Sequence, residues 1–199
     1  MATSNNAIPS PQQAINFLNI IEKLKVTTPR TGWVKRGVKN PESIADHMYR
    51  MGVMSLLVQG TSYDYAHCMK LAIVHDIAES IAGDITPVCG ITDDEKYKME
   101  SAALAELKKT LGDCMAADDL EALWLEYEQG ETNEAQLVKD FDKIEMILQA
   151  SEYESAQGSE LQEFFDSTAG KWRTEIGQSW AEEICKRRRE GMVNGAPVS

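Results

Sequence analysis

The chain has no cysteine pair spaced C-x-x-C, no apolar run approaching the roughly 20 residues of a membrane span, no internal repeat and no stretch that alternates with period two. Its four cysteines, Cys68, Cys89, Cys114 and Cys185, are scattered, which excludes a zinc ribbon or a dithiol redox motif and fits reduced thiols in a cytosolic protein. The N-terminal MATSNNAIPSPQQ has neither the basic nor the apolar region of a signal peptide. Positive charge is also scarce: 20 basic residues face 32 acidic ones, a net charge of -12, which opposes binding to nucleic acid or to an anionic membrane. Histidine is scarcer still, with three in 199 residues.

What remains is helical. Apolar residues recur with the period of a helix face almost throughout, so an all-α fold is expected, built as one domain over residues 1–199 with a core from about 12 to 190. Ser10-Pro11 with Gln13 opens a helix that carries Ile15, Leu18, Ile20, Ile21 and Leu24 as far as about Val26. Ser43 with Asp46, and Thr92 with Glu95, read as further capping boxes. A third helix is expected from about Asp64 to Ala82, stopped by Gly83, and others over 116–128, 133–155, 159–167 and 172–189. The first eight or so and last nine or so residues are expected to be disordered.

Two of the three histidines carry the chemistry. His75-Asp76 lies inside LAIVHDIAESIAGDI, and His47 lies in SIADHMYRMGVMSLLV. An imidazole beside a carboxylate in apolar surroundings costs several kcal/mol unless a cation satisfies both. Glu79 is four residues beyond His75, and Asp84 follows where the chain turns. Three carboxylates and an imidazole within ten residues would repel one another and raise their pKa values without a metal ion. The pattern points to a divalent metal hydrolase. His67 reads as an ordinary surface or partly buried residue. A distant acid should complete the site, and in QLVKDFDKIEMILQA wheel geometry favours Asp140, on the apolar stripe between Leu137 and Ile144, over Asp142.

The order His47, His75-Asp76 and a later Asp resembles the HD-domain superfamily of metal-dependent phosphohydrolases. RTGWVKRGVKNPESIADHMYRMGVM, LAIVHDIAESIAGDITP and EMILQASEYE extend the likeness to a eukaryotic group similar to bacterial 5′-deoxynucleotidases, over roughly residues 12–185. The resemblance implies hydrolysis of 2′-deoxynucleoside 5′-monophosphates. It places the metal-binding Asp four residues after Val138, which selects Asp142, with His47, His75 and Asp76 as the other ligands of the first ion. It gives Glu79 and Asp84 catalytic roles and, with the carbonyl of Ile85, makes them ligands of a second ion.

For the metal, mixed imidazole and carboxylate ligands together with the resemblance favour Mn²⁺ or Co²⁺, with Mg²⁺ as a further candidate. Trp33 matches an aromatic position bordering the nucleotide, but Gly32 stands where the relatives carry an Arg, so Arg30, Lys35 and Arg36 become the candidates for holding the phosphate. A homodimer and a cytoplasmic location are also expected. The run KRRR at 186–189 reads as a solvated helix end, with a nuclear address as the lesser alternative. Two competing readings are another HD phosphohydrolase, acting on an alarmone or a nucleoside triphosphate, and a metal-binding helical module without catalysis.

Overall fold

The computed structural model describes residues 8–26, 31–86, 89–193 and 196–197, with side chains omitted at Val26 and beyond Gly191. Eleven helices follow one another among the described residues: α1 Pro11–Ile21, α2 Lys23–Val26, α3 Thr31–Lys35, α4 Ile44–Leu56, α5 Tyr65–Val74, α6 Glu79–Ala82, α7 Asp93–Leu111, α8 Met115–Gln129, α9 Asn133–Gln157, α10 Gln162–Thr168 and α11 Glu175–Arg189. The all-α expectation holds, with one correction. Met192–Val193 (β1) and Ala196–Pro197 (β2) pair as a small antiparallel ladder, in a tail expected to be disordered. Two residues per strand are too few for a period-two pattern to register in sequence. Most of the N-terminal segment expected to be disordered lies outside the described residues.

The helix starts follow from local side-chain chemistry. Ser10, Ser43 and Thr92 each accept a hydrogen bond from the backbone N–H three residues on, and the side chains of Gln13, Asp46 and Glu95 accept one in turn from the cap backbone N–H. Asp64 caps α5 by accepting from Ala66 and His67. His67 itself pairs with Glu126, 2.8 Å away.

The expected single helix from Asp64 to Ala82 is two. After Val74 the backbone tightens to i→i−3 hydrogen bonds, Ile77 to Val74 (3.0 Å), Glu79 to Asp76 (3.0 Å) and Ser80 to Ile77 (3.2 Å), before α6 resumes. His75-Asp76 therefore sits at a helix break.

Two apolar clusters form the interior. One gathers Trp33, Met51, Leu71, Phe141, Ile144 and Ile147; the other gathers Leu24, Ile44, Met48, Val74, Leu107 and Trp124. Helices α4 and α5 contribute to both, and α9 packs against α4, α5, α8, α10 and α11. His47 directly precedes Met48 and lies one turn before Met51 on α4, and His75 directly follows Val74, so both histidines lie where the clusters meet.

Candidate metal centre

Two imidazoles converge on the junction between the clusters. His47 is wholly buried and His75 is 3% exposed, with ring centroids 5.4 Å apart. Each ring has its Nδ1 engaged. His47 Nδ1 lies 2.6 Å from Glu145 Oε2, and His75 Nδ1 lies 2.9 Å from the Ala72 carbonyl, to which it donates. Both contacts fix the tautomer that leaves Nε2 as the electron-pair donor. His75 Nε2 is buried without a hydrogen bond and lies 3.1 Å from Asp76 Oδ2. Such an atom facing a carboxylate is what a cation site requires.

Ligand atoms of His47, His75 and Asp76 lie within 4.8 Å of one another. Asp142 Oδ1, from α9, lies 3.3 Å from His47 Nε2, and its Oδ2 accepts a 3.2 Å hydrogen bond from the Tyr127 hydroxyl. The Tyr127 ring in turn lies 4.9 Å from that of His75. Burial pushes the Asp76 carboxyl up, but His75 and then His47 outweigh it and hold the group below the usual carboxylate range. The donor set of two Nε2 atoms and carboxylate oxygens fits a divalent transition metal.

The alternative acid is engaged elsewhere. Asp140 is fully buried and accepts from Arg173 N (2.9 Å), Thr174 N (2.8 Å), Thr174 Oγ1 (2.9 Å) and Lys143 Nζ (3.0 Å). It anchors the segment leading into α11. Gly177 permits the approach, because a Cβ there would meet Asp140 Oδ2 at 2.3 Å. The apolar stripe that favoured Asp140 in the sequence reflects burial against α11, not the metal site.

Glu79, the first residue of α6, is 4% exposed. Asp84 follows Gly83, whose φ of 79° turns the chain. The Asp84 carboxylate accepts from Thr31 N, and its carbonyl accepts from Thr31 Oγ1 at 2.9 Å. The neighbouring Ile85 is buried.

The residues expected around the nucleotide are placed differently. Trp33 is 1% exposed: its ring packs on Phe164 and Tyr153, with centroids 4.3 and 5.4 Å away, and its N–H donates to Glu42. It is a core residue in this conformation, with no face available to a ligand, because α10 covers it. Arg36 forms an exposed two-pronged ion pair with Glu163, and Lys35 Nζ lies 3.8 Å from Cys89 Sγ. Arg30 lies outside the described residues.

Five residues that the sequence did not mark stand around the centre. Glu145 is fully buried, three residues after Asp142, and Arg50 Nε approaches its other oxygen at 3.5 Å. The only signal for Glu145 was an acid inside the apolar text IEMIL. From α7, Lys96 Nζ lies 3.4 Å from the buried Glu100. Burial disfavours the Lys96 ammonium, but Glu100, then Asp76, Glu79 and Asp142 outweigh that and raise its pKa above the ordinary lysine value. In sequence the pair is indistinguishable from the charged face of a solvated helix. Tyr127 completes the group.

The HD-domain family model matches residues 21–184. The chain belongs to the HD-domain family. This HD domain is 42% identical to the 5′-deoxynucleotidase HDDC2 of Xenopus laevis, over 100% of this chain and 99% of the relative. It is 46% identical to the 5′-deoxynucleotidase HDDC2 of Danio rerio, over 79% of each. Among solved structures, a conserved hypothetical protein from Pyrococcus furiosus is similar with a TM-score of 0.71 and 35% identity, covering 88% of this chain and 99% of that one.

Proposed function

We infer that this HD domain is a metal-dependent 5′-deoxynucleotidase that hydrolyses 2′-deoxynucleoside 5′-monophosphates to the deoxynucleoside and inorganic phosphate. The observation that carries the reading is the convergence of His47 Nε2, His75 Nε2 and the Asp76 carboxylate, in a chain similar over its whole length to a protein bearing that name. His47, His75, Asp76 and Asp142 would hold the first divalent ion, and Glu79, Asp84 and the Ile85 carbonyl a second, with Mn²⁺ or Co²⁺ favoured and Mg²⁺ the further candidate. Bound there, divalent ions supply positive charge against the phosphoryl oxygens and make water a better nucleophile near neutral pH.

The chain supplies the rest. Glu79, buried beside the histidine turn, and Asp84, held by Thr31, are the groups placed to move protons from the attacking water and to the departing 5′-oxygen. A cavity of about 350 Å³ lined by Gly32, Arg36, Thr86, Met146 and Phe164 suits the deoxynucleoside. Thr86 is two residues beyond Asp84, and Met146 is one helical turn beyond Asp142, which ties the cavity to both acids. Arg36, with Arg30 and Lys35 nearby in sequence, belongs to the mouth of that cavity, and Trp33 backs its wall through Phe164.

A homodimer and a cytoplasmic location complete the proposal. Exposed apolar side chains on α4 and α5, among them Tyr49 (75% exposed), Leu57 (67%) and Ile73, support a contact between copies. The four free cysteines suit a reducing compartment, and no helix among the described residues is long and apolar enough to cross a membrane.

The test is phosphate release from ribo- and deoxynucleoside mono- and triphosphates, with and without Mn²⁺. Metal-dependent release from deoxynucleoside monophosphates is expected. No release from any monophosphate would overturn the proposal, and release from triphosphates alone would move the chain to another HD phosphohydrolase activity.

A further inference from the structure

We propose that Lys96, anchored by Glu100, positions the substrate phosphate above the metal centre. The inference rests on the reading of this site as one for a phosphate monoester.

Charge balance creates the requirement. In the proposed site Asp76, Glu79, Asp84 and Asp142 would supply four carboxylates, so two divalent ions would do no more than neutralise them. A dianionic phosphate then enters a chain of net charge -12 with no local surplus of positive charge. Among the described residues after α2, Arg36 is engaged by Glu163 and Lys35 lies beside Cys89.

Lys96 is placed to meet it. Over residues 92–99, where α7 begins, every residue is exposed except Lys96, which is half-buried with its side chain 39% exposed. The negative charges of Asp76 and Glu79, from the histidine turn and α6, and of Asp142, from α9, all bear on its ammonium. α7 packs directly on α6, and Glu100, one turn on, holds the ammonium from behind at 3.4 Å.

Helix stability does not explain the residue. Lys96 lies in the first turns of α7, near the positive end of the helix dipole, where a cation is unfavourable. The order Lys then Glu at i,i+4 is also the weaker orientation of such a pair. A half-buried lysine held there beside Glu100 fits a role toward an anion. An ammonium also suits a phosphate as a point charge, with no demand for a bidentate geometry.

The test uses the full chain loaded with Mn²⁺. Lys96→Gln should raise KM for a deoxynucleoside monophosphate, and Ki for inorganic phosphate, by roughly ten- to a hundredfold, the loss of one charge-assisted hydrogen bond. Lys96→Arg should restore most of the loss, and Mn²⁺ affinity measured by calorimetry should stay at the wild-type value. If Lys96→Gln folds poorly because Glu100 is left buried and unpaired, the double variant Lys96→Gln/Glu100→Gln removes that charge and should show the same rise. An unchanged Ki in a folded variant overturns the assignment. Should the wild type release no phosphate from monophosphates, calorimetric binding of inorganic phosphate still decides the matter. Its loss in Lys96→Gln supports the phosphate role while the nucleotidase reading falls, and its retention removes both.

Discussion

His47 Nδ1 and Glu145 Oε2 lie 2.6 Å apart, and neither side chain has any exposed surface. The contact holds the imidazole with Nε2 directed toward Asp76 and Asp142, and Arg50 offsets the carboxylate charge from behind. Outer partners of metal-ligating histidines set ring orientation and basicity. Glu145→Ala should therefore weaken Mn²⁺ binding by about 10- to 100-fold, measured by calorimetric titration of metal-free protein. Glu145→Gln, which still accepts from Nδ1–H, should retain more affinity than the alanine variant. Equal affinity in all three proteins would remove Glu145 from the metal site.

Asp140 and Asp142 predict opposite phenotypes from positions two residues apart. Asp140→Ala strips acceptors from Arg173, Thr174 and Lys143 and should destabilise the fold by about 3–5 kcal/mol, read from urea unfolding. Metal content of the folded fraction should be normal. Asp142→Ala should lose metal with little loss of stability. The reverse pattern would reinstate Asp140 as the ligand.

Stability of the metal-free protein should depend on Glu100. Burial pushes its carboxyl up to about 7 from an ordinary 4.5, with Lys96 opposing the rise and Asp76 adding to it. A carboxyl with a higher pKa folded than unfolded binds a proton on folding in that interval. Its stabilising contribution is thus present below about 4.5 and lost as the pH climbs to about 7. Thermal unfolding of the wild type across this range should show that loss, on the order of 1–3 kcal/mol, and Glu100→Gln should flatten it. An identical slope in the variant would contradict the assignment.

Trp33 should behave as packing. Trp33→Ala should cost about 3–5 kcal/mol, because a fully buried indole leaves a cavity between Phe164 and Tyr153. Trp33→Phe, which keeps most of that contact, should retain the wild-type KM while losing about 1 kcal/mol of stability. A large rise in KM with unchanged stability would return Trp33 to the nucleotide.

Much of this was legible without coordinates. Capping boxes at Ser10, Ser43 and Thr92 are local chemistry, complete within four residues, so the structure reproduces them as read. The break at His75 escaped because apolar periodicity continues across it, while a change from i→i−4 to i→i−3 winding leaves no compositional trace. Lys96 and Glu145 escaped for one common reason, and Trp33, which the resemblance assigned to the nucleotide border, is buried for the same one. A lysine on a charged helix, a glutamate in an apolar one and an aromatic in a Pro- and Gly-containing segment do not show in sequence which neighbour packs on them.

By itself the sequence determined the helical class, the helix starts and the clustering of His75, Asp76, Glu79 and Asp84, since helix periodicity, capping and short-range spacing are properties of contiguous residues. Helix periodicity favours Asp140 and the family resemblance selects Asp142; the tertiary structure sets Asp142 across from His47 and Asp140 across from the start of α11. It also decided that Glu145 backs His47 and that Lys96 is half-buried beside Glu100. These choices depend on packing between residues up to about a hundred positions apart, where hydrogen-bond partners and desolvation are set by the neighbouring helix and not by the neighbouring residue.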